Sequence, residues 1–274
     1  MFLSIGGICL EIKSNNDDFM LKTAQEFSAF IFEKEMVGCY LIEVNHGYVS
    51  KEVAAINVIK KEDIFDVAGD EFRGIINIVQ KTAKVDIADL SGVFNCFLRV
   101  FYSIILLENN GFLVHSVGLD YHSKGYLFAG ASESGKTTTA RMAKNDYNVL
   151  SDELVMIRQV NDEILLFSTP FNGEFEGFIS SSSVPLHSIS FLNKNINNGF
   201  QQIARIEMFA ELMANIFFFS WDCKSNQRLI NLVNRVCEDI NGYRVDLFNY
   251  NIRSVINGIS EKNSSQQSNS LAAG

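Results

Sequence analysis

A glycine-flanked segment near the middle of the chain has the residue types of a phosphate-binding loop. It reads Gly130-Ala-Ser-Glu-Ser-Gly-Lys-Thr137 and matches the pattern G-x-x-x-x-G-K-S/T. The glycines let the backbone curl so that successive N–H groups point at phosphate oxygens, and a helix that follows adds the partial positive charge of its N-terminus. Lys136 would reach the β- and γ-phosphates, and the Thr137 hydroxyl would ligate Mg²⁺. The predicted cofactors are therefore ATP and Mg²⁺, and the predicted nucleotide-binding residues are Gly130, Ser132, Ser134, Gly135, Lys136, Thr137 and Thr138.

A pair of carboxylates, Asp152-Glu153, follows the loop after an interval that one helix and a turn would fill. That interval would return the pair to the side of the loop, where Thr137, Asp152 and Glu153 are the predicted metal ligands. Asp152 would hold the metal, directly or through water, or accept a proton from an attacking hydroxyl. The alternative interpretation is a solvated acidic pair at a bend between strands.

His115 is the third candidate for chemistry, because it interrupts the apolar run Leu113-Val-His-Ser-Val117. An isolated histidine in such a run is more often a core residue with a satisfied hydrogen bond than a catalytic group. The other three histidines, His46, His122 and His187, occur at turns or strand starts and are predicted at the surface.

The elements next to the loop suit a phosphate site. An apolar strand, Gly125 to Ala129, runs into the loop, and a helix is predicted from Lys136 to Lys144. A preceding strand, Phe112 to Tyr121, is joined to the first by His122-Ser123-Lys124, which is a hairpin signal. The strand that enters the loop therefore has an antiparallel neighbour, which argues against an all-parallel sheet.

The rest of the chain divides by composition into three parts. Residues 1–90 predict a β-rich N-terminal region, residues 91–260 a nucleotide-binding domain, and residues 261–274 a disordered tail rich in Ser, Gln and Asn. A helix is predicted from Leu90 to Glu108, with an apolar stripe on its core side. The predicted fold class is α/β, of the α+β type with a mixed sheet.

Further elements follow from the hydrophobic spacing. In the N-terminal region, strands are predicted at Gly7–Ile12, Cys39–Val44, Ala55–Ile59 and Gly74–Val79. After the loop, strands are predicted at Asn148–Gln159, Glu163–Ser168, His187–Leu192 and Tyr243–Phe248, and helices at Ile203–Phe218 and Gln227–Ile240. Residues 170–183 are predicted to be a loop.

Charge and composition exclude some classes of partner. The net charge is −9 and Lys60-Lys61 is the largest basic cluster, so no nucleic-acid partner is predicted. The apolar runs are too short to span a bilayer, and residues 1–10 lack the features of a signal peptide, so no membrane partner is predicted. The five cysteines are scattered, which predicts buried thiols without a disulfide framework and a cytoplasmic protein.

The order of these features resembles the HPr kinase/phosphorylase family, which shares its nucleotide-binding fold with phosphoenolpyruvate carboxykinase. The resemblance rests on Val114-His-Ser116, on Phe128 to Thr138 and on Leu150-Ser-Asp-Glu-Leu154. It continues more weakly through Thr169 to Gly173, Pro185 to Ile189 and Tyr243 to Leu247.

The resemblance implies roles for particular residues. Lys136 would bind phosphate, Asp152 would act at the transferred phosphoryl group, and His115 would lie close to that group; these three are the predicted catalytic residues. The sequence departs from the family in two places: it has Asp152-Glu153 where the family has two aspartates, and Glu133 where relatives commonly have glycine. The family also raises the expectation of a homo-oligomer.

Three functions remain open at this stage. The first is a kinase that transfers the ATP γ-phosphoryl group to a serine or similar hydroxyl of a protein or peptide. The second is a carboxykinase-type enzyme acting on a small molecule, which the absence of an arginine cluster disfavours. The third is a nucleotide-binding accessory protein that recognises a peptide without turnover, with the N-terminal region adding a peptide strand at a sheet edge.

Overall fold

The computed structural model describes residues 1–33, 37–49, 55–131, 134–173, 180–193, 199–247 and 250–272, with side chains described as far as residue 265. The chain has a mixed α/β fold with two mixed sheets. It divides into two compact units, one formed by Met1–Asn110 with Phe218–Leu229 and the other by Gly111–Phe217 with Ile230–Gly274.

The first unit contains a seven-stranded sheet in the order β1-β2-β3-β7-β6-β5-β4. Its central pairs β2–β3 and β3–β7 are parallel, whereas the pairs toward both edges are antiparallel. Its elements are β1 (Phe2–Ile5), β2 (Ile8–Lys13), α1 (Asp17–Glu26), β3 (Tyr40–His46), β4 (Asn57–Lys61), β5 (Ile64–Ala68), β6 (Phe72–Asn77), β7 (Thr82–Ile87) and α2 (Val93–Glu108).

Helix α2 belongs to this first unit because its phenylalanines pack among the side chains of the unit. Phe97 lies against Phe72 of β6, with ring centroids 5.9 Å apart, and Phe101 meets Tyr40 of β3 at 5.5 Å. The predicted stripe is the buried face of the helix, as expected. The sequence predicts a domain boundary between residues 90 and 91, whereas the two compact units divide after Asn110. The difference arises because α2 buries its apolar stripe within the first unit.

Cys9 and Cys39 form a disulfide, contrary to the prediction of unpaired thiols. The parallel register pairs Leu10 of β2 with Tyr40 of β3, so the preceding residues, Cys9 and Cys39, also lie side by side, with Cα atoms 4.6 Å apart. The spacing of cysteines along the sequence does not reveal strand register, so the pairing was not predicted. Because two cysteines form a disulfide, cysteine usage no longer supports a reducing compartment.

The second unit is built on the larger sheet, which runs in the order β10-β8-β11-β12-β13-β16-β14, with β9 pairing β8 and β13, and β15 pairing β8. Its elements are β8 (Gly111–Tyr121), β9 (Lys124–Ala129), α3 (Lys136–Ala143), β10 (Asn148–Ser151), β11 (Leu154–Val160), β12 (Glu163–Phe167), β13 (Ser183–Leu192), β14 (Phe200–Gln202), α4 (Arg205–Asn215), β15 (Ile216–Phe217), β16 (Asn241–Val245) and α6 (Ile252–Ala272). Helix α5 (Cys223–Asp239) begins in the first unit and continues into the second.

The predicted hairpin before the loop is present. Strands β8 and β9 pair antiparallel through a two-residue turn at His122 and Ser123, both with positive φ, as in a type I′ turn. On its other side β9 pairs parallel with β13, which in turn pairs parallel with β16. The mixed sheet expected from the hairpin is confirmed.

The C-terminal segment differs most from expectation. Residues 261–272 continue helix α6, whereas their composition predicts a disordered tail. The helix packs on the sheet through Ile252, Val255, Ile256 and Ile259, which lie in one core cluster with side chains of α3, β9 and β16. The apolar residues in the first turns of α6 are spaced three and four positions apart, which is typical of a helix with one buried face. The composition of residues 261–274 does not show that this helix continues into them.

Other boundaries differ locally. The strand predicted from Asn148 to Gln159 is interrupted at Asp152 and Glu153, and the helix predicted to reach Phe218 ends at Asn215, where β15 begins. Of the predicted loop over residues 170–183, positions 174–179 lie outside the described residues. Among the described residues, no helix is long and apolar enough to cross a membrane.

Candidate functional site

The glycine-flanked loop begins where three parallel strands end. Strand β9 stops at Ala129, which pairs with Phe191 near the end of β13, and the last residue of β13, Leu192, pairs with Val245 at the end of β16. Ligands of open α/β sheets bind at the carboxyl ends of parallel strands. The predicted loop therefore lies at the edge of the sheet where such a site is expected.

Two glycines of the loop are required by its geometry. Gly135 has φ +105°, in the region that side-chain-bearing residues rarely adopt, and serves as the N-cap of α3. A Cβ on Gly130 would approach Ser134 Oγ to 2.6 Å. The first-turn amides of α3 accordingly follow Gly135 directly, and the first turn of a helix has no intrahelical acceptors for its N–H groups.

Lys136, the first residue of α3, folds back over the loop. Its ammonium donates to the carbonyl oxygens of Gly130 and Ala131, at 2.7 and 2.9 Å. Partial burial lowers the pKa of Lys136, and the nearby carboxylate of Glu153 acts in the opposite direction. The lysine and the second acidic residue are thus close enough to interact electrostatically.

Ser134 supplies a polar group to the site. Its Oγ is buried and has no hydrogen-bond partner among the described residues. Ser134 and Gly135 line a cleft of about 250 Å³ together with Thr138, Thr139 and Met142 of α3 and the ends of β13 and β16. A buried hydroxyl of this kind is a reason to expect a ligand, since buried polar groups are nearly always hydrogen-bonded.

The acidic pair lies in the interruption between β10 and β11. Asp152 is 4% exposed, and its Oδ1 accepts the backbone N–H of Gly173 at 2.8 Å. Ser151 contacts the same segment, because its Oγ donates to the carbonyl of Phe171 at 3.1 Å. Asp152 is therefore held in one orientation by the chain that follows β12.

Strand register brings the acidic pair and the loop to the same end of the sheet. Ser116 of β8 pairs with Ala129 of β9, and its N–H donates to the carbonyl of Glu153 at 2.9 Å. Glu153, Ser116 and Ala129 therefore lie side by side, with Ser116 of β8 in the middle, and Gly130 follows the last residue of β9. Only β8 therefore separates the backbone of Glu153 from Ala129, the residue that precedes the loop.

His115 directly precedes Ser116 in β8 and pairs with Leu154 of β11. Its ring lies edge-on to Phe217 of β15, with centroids 5.6 Å apart, and it is partly buried. The register thus places His115 one residue from Ser116, which lies beside Glu153, on the side toward the loop.

The remaining predicted residues are less closely defined. Thr137 is partly buried, and Thr138 is exposed and lines the cleft. Ser132 and Glu133 lie outside the described residues, so the orientation of Glu133 stays open.

Three residues near the site were not found from the sequence. Gly173 approaches Asp152 so closely that a Cβ there would lie 3.1 Å from Oδ2. Asn193 and the buried Asp246 line the cleft because they follow β13 and β16 directly. The signal for Asn193 and Asp246 is their position just after β13 and β16, and only the sheet order shows that these two strands run parallel to β9.

No known protein family and no curated protein matches the sequence. Among solved structures, the chain is similar to the Hpr(Ser) kinase/phosphatase from Coxiella burnetii, with 11% identity and a TM-score of 0.35 over 57% of this chain and 98% of that one. A similarity of this degree assigns no activity to the chain.

Proposed function

We propose that the second unit binds ATP with Mg²⁺ and transfers the γ-phosphoryl group to a serine or similar hydroxyl of a protein or peptide. The observation that supports this most is the convergence of a glycine-flanked loop, Lys136 and the Asp152-Glu153 pair at the carboxyl ends of parallel strands. The motif-level resemblance to the HPr kinase/phosphorylase family supports the same assignment.

The loop residues fit a triphosphate. The first-turn amides of α3 and the hydroxyl of Ser134, which has no partner in the described part of the chain, are donors for phosphate oxygens. The ammonium of Lys136 already lies over the loop, and it would exchange its two carbonyl acceptors for phosphate oxygens. The adjoining cleft at Thr138, Asn193 and Asp246 would receive the remainder of the nucleotide.

The acidic pair fits a cation that is shared with phosphates. Within the described parts of the chain, no cluster of three or more His, Cys, Asp or Glu side chains could hold a metal by itself. Mg²⁺ normally binds through one or two carboxylates plus phosphate oxygens and water, so Thr137, Asp152 and Glu153 are a sufficient set. When bound, the metal would neutralise charge on the β- and γ-phosphates.

The orientation of Asp152 suits a role at the transferred group. The Gly173 amide donates to Oδ1 of Asp152, and the carboxylate held in this way would accept the proton of the acceptor hydroxyl or bind the metal. Phosphoryl transfer demands positioning and charge neutralisation more than covalent chemistry from the protein. His115 would add a polar group one register step away.

The first test is ATP binding measured by calorimetry with Mg²⁺. We expect Lys136→Ala to weaken binding by at least about tenfold, since charge-assisted bonds to phosphate contribute roughly 1.5–3 kcal/mol. Lys144→Ala, at the opposite end of α3 and exposed, is the matched control and should bind as the wild type does. Equal binding by all three proteins would contradict the assignment of the loop.

The second test separates a kinase from an accessory protein. Asp152→Asn keeps the size of the side chain but removes its charge, so we expect ATP binding to weaken less than in Lys136→Ala and phosphoryl transfer to fall by about 100-fold or more. The assay would measure incorporation of labelled γ-phosphate into an array of serine-containing peptides. ATP binding without any transfer by the wild type would favour peptide recognition without turnover.

A further inference from the structure

Three side chains of the first unit are joined by hydrogen bonds in the order Ser14–His46–Asp89. The Nε2 atom of His46 lies 3.1 Å from Ser14 Oγ, and its Nδ1 atom lies 3.0 Å from Asp89 Oδ1. This is the connectivity of a serine nucleophile, a general base and an orienting carboxylate. The group belongs to a different unit from the loop, and its role does not depend on the proposed kinase activity.

The hydrogen bonds determine which nitrogen of His46 carries the proton. An ionised carboxylate only accepts hydrogen bonds, so Asp89 requires a proton on Nδ1. In the neutral ring Nε2 is then the acceptor, and it faces the hydroxyl of Ser14. That tautomer is the one able to remove the serine proton as the oxygen attacks an electrophile.

The sheet topology explains why these residues meet. Ser14 follows β2, His46 is the last residue of β3, and Asp89 lies two residues beyond β7, while β2, β3 and β7 are consecutive parallel neighbours. The three side chains therefore project from the carboxyl ends of adjacent parallel strands, the position where α/β sheets bind ligands. Residues far apart in sequence are brought together there.

Aromatic packing restrains the base. The ring of Phe19, from α1, meets His46 edge-on at 4.8 Å, and Phe94 of α2 packs against Phe19 at 5.3 Å. The histidine side chain is consequently only 18% exposed. A base held by packing on one side and by a carboxylate on the other loses little orientational freedom when it acts.

A cleft of about 210 Å³ has His46 and Asp89 in its lining, and Ser14 reaches it only through its contact with His46. Phe19 and Phe94 supply apolar surface, and the carboxylates of Asp18, Glu26 and Asp89 outnumber the one ammonium, Lys22, which is itself paired with Asp18 at 2.6 Å. A cleft of this size and charge suits a small acyl compound that is neutral or cationic, and it disfavours an anionic one.

We propose that Ser14 is the nucleophile of a second active site that cleaves small neutral or cationic esters. Ser14 Oγ attacks the carbonyl carbon while its proton passes to His46 Nε2, and the bond to the alcohol oxygen breaks as His46 returns that proton to the leaving group. Water then attacks the acyl-serine, His46 accepts a proton from the water and passes it to Ser14 Oγ, and the carboxylic acid leaves.

The test combines covalent labelling with hydrolysis. The protein is treated with a fluorophosphonate probe, the adduct is located by peptide mass spectrometry, and the hydrolysis of p-nitrophenyl acetate is followed. We expect the adduct on Ser14, and we expect Ser14→Ala and His46→Gln each to reduce hydrolysis by at least about 100-fold. Among esters, acetylthiocholine and p-nitrophenyl acetate should exceed the anionic p-nitrophenyl succinate.

Control variants separate this site from nonspecific reactivity and from the loop. Ser4→Ala, in β1 of the same unit, and Lys136→Ala, in the other unit, should both retain labelling and hydrolysis. Asp89 acts as a positioning residue, so Asp89→Asn should shift the His46 proton away from Nδ1, as read from ¹⁵N imidazole resonances. A folded protein that is not labelled at Ser14, or whose labelling is unaffected by His46→Gln, would overturn the proposal.

Discussion

At the scale of single residues, the loop shows how far a local pattern determines structure. Lys136 and Gly135 stand at fixed positions of a contiguous motif; Gly135 is the N-cap of α3 with a positive φ, and the Lys136 ammonium bonds the carbonyl of Gly130. The orienting contact of Asp152 with Gly173 was not predictable, because it joins residues separated by two strands and depends on the interruption at Asp152 and Glu153.

The backbone of Gly135 supports a specific prediction. Gly135→Ala would place a side chain at φ +105°, which should cost about 1–3 kcal/mol and displace the start of α3. We expect lower thermal stability of the second unit together with weaker ATP binding by calorimetry. Gly47→Ala, at φ +87° in the first unit with open space around it, carries comparable strain and should leave ATP binding unchanged. Equal affinity in both variants would show that the start of α3 does not contact the nucleotide.

At the scale of elements, helices α2 and α6 contrast in how well the sequence predicts them. Helix α2 was predicted because its apolar stripe is continuous over sixteen residues. Helix α6 was missed because only its first turns carry apolar residues, and its polar remainder is attached to the sheet through Asn263, a contact that no periodicity reveals. Asn263 accepts from the Tyr243 hydroxyl at 2.5 Å and from the Asn241 amide at 2.8 Å.

Asn263 should therefore contribute to stability well beyond its neighbours in α6. Asn263→Leu keeps the volume but leaves the buried Tyr243 hydroxyl without its acceptor, which should cost about 1–3 kcal/mol. The exposed neighbour Ser264 offers the matched control, and Ser264→Ala should change the free energy of unfolding by less than about 0.5 kcal/mol. Urea unfolding measures both, and equal effects would show that the helix is not anchored at this point.

His187, in β13, gives the same region a dependence on pH. Burial, assisted by the charge of Lys124, lowers the pKa of His187 below its ordinary value of 6.5. Well above pH 6.5 the imidazole is neutral in both the folded and the unfolded protein. As the pH falls below 6.5, the unfolded chain binds the proton first, because its pKa is the higher of the two. The folded protein therefore loses stability until the pH reaches the pKa of His187 in the folded state. Between about pH 7.5 and about pH 5.5, urea unfolding should show a larger loss for the wild type than for His187→Gln. Equal losses would contradict a depressed pKa.

At the scale of the whole molecule, each unit contains a mixed sheet whose parallel strands end in polar side chains. In the second unit the loop motif marks the end of β9 in the sequence, whereas Asn193 and Asp246, at the ends of β13 and β16, carry no local signal. In the first unit the predicted strands β2 and β3 are present, but the meeting of Ser14, His46 and Asp89 depends on β7 pairing in parallel with β3. Strand order is set by long-range packing, which a local pattern does not encode. His46, predicted at the surface, is partly buried.

The Cys9–Cys39 disulfide provides a test of the parallel pairing of β2 with β3 in the first unit. Cys9 and Cys39 enclose a sequence separation of 30, and closing a loop of that length should stabilise the unit by about 3–4 kcal/mol through the unfolded chain. After equilibration with oxidised glutathione, we expect peptide mass spectrometry to find the Cys9–Cys39 link. Reduction of the disulfide should increase hydrogen exchange in β2 and β3. ATP binding by the second unit should persist after reduction. The double variant Cys9→Ser with Cys39→Ser should be insensitive to reductant. Because the parallel pairing of Leu10 with Tyr40 makes the two cysteines neighbours, recovery of a different pairing would mean that β2 and β3 do not align as described.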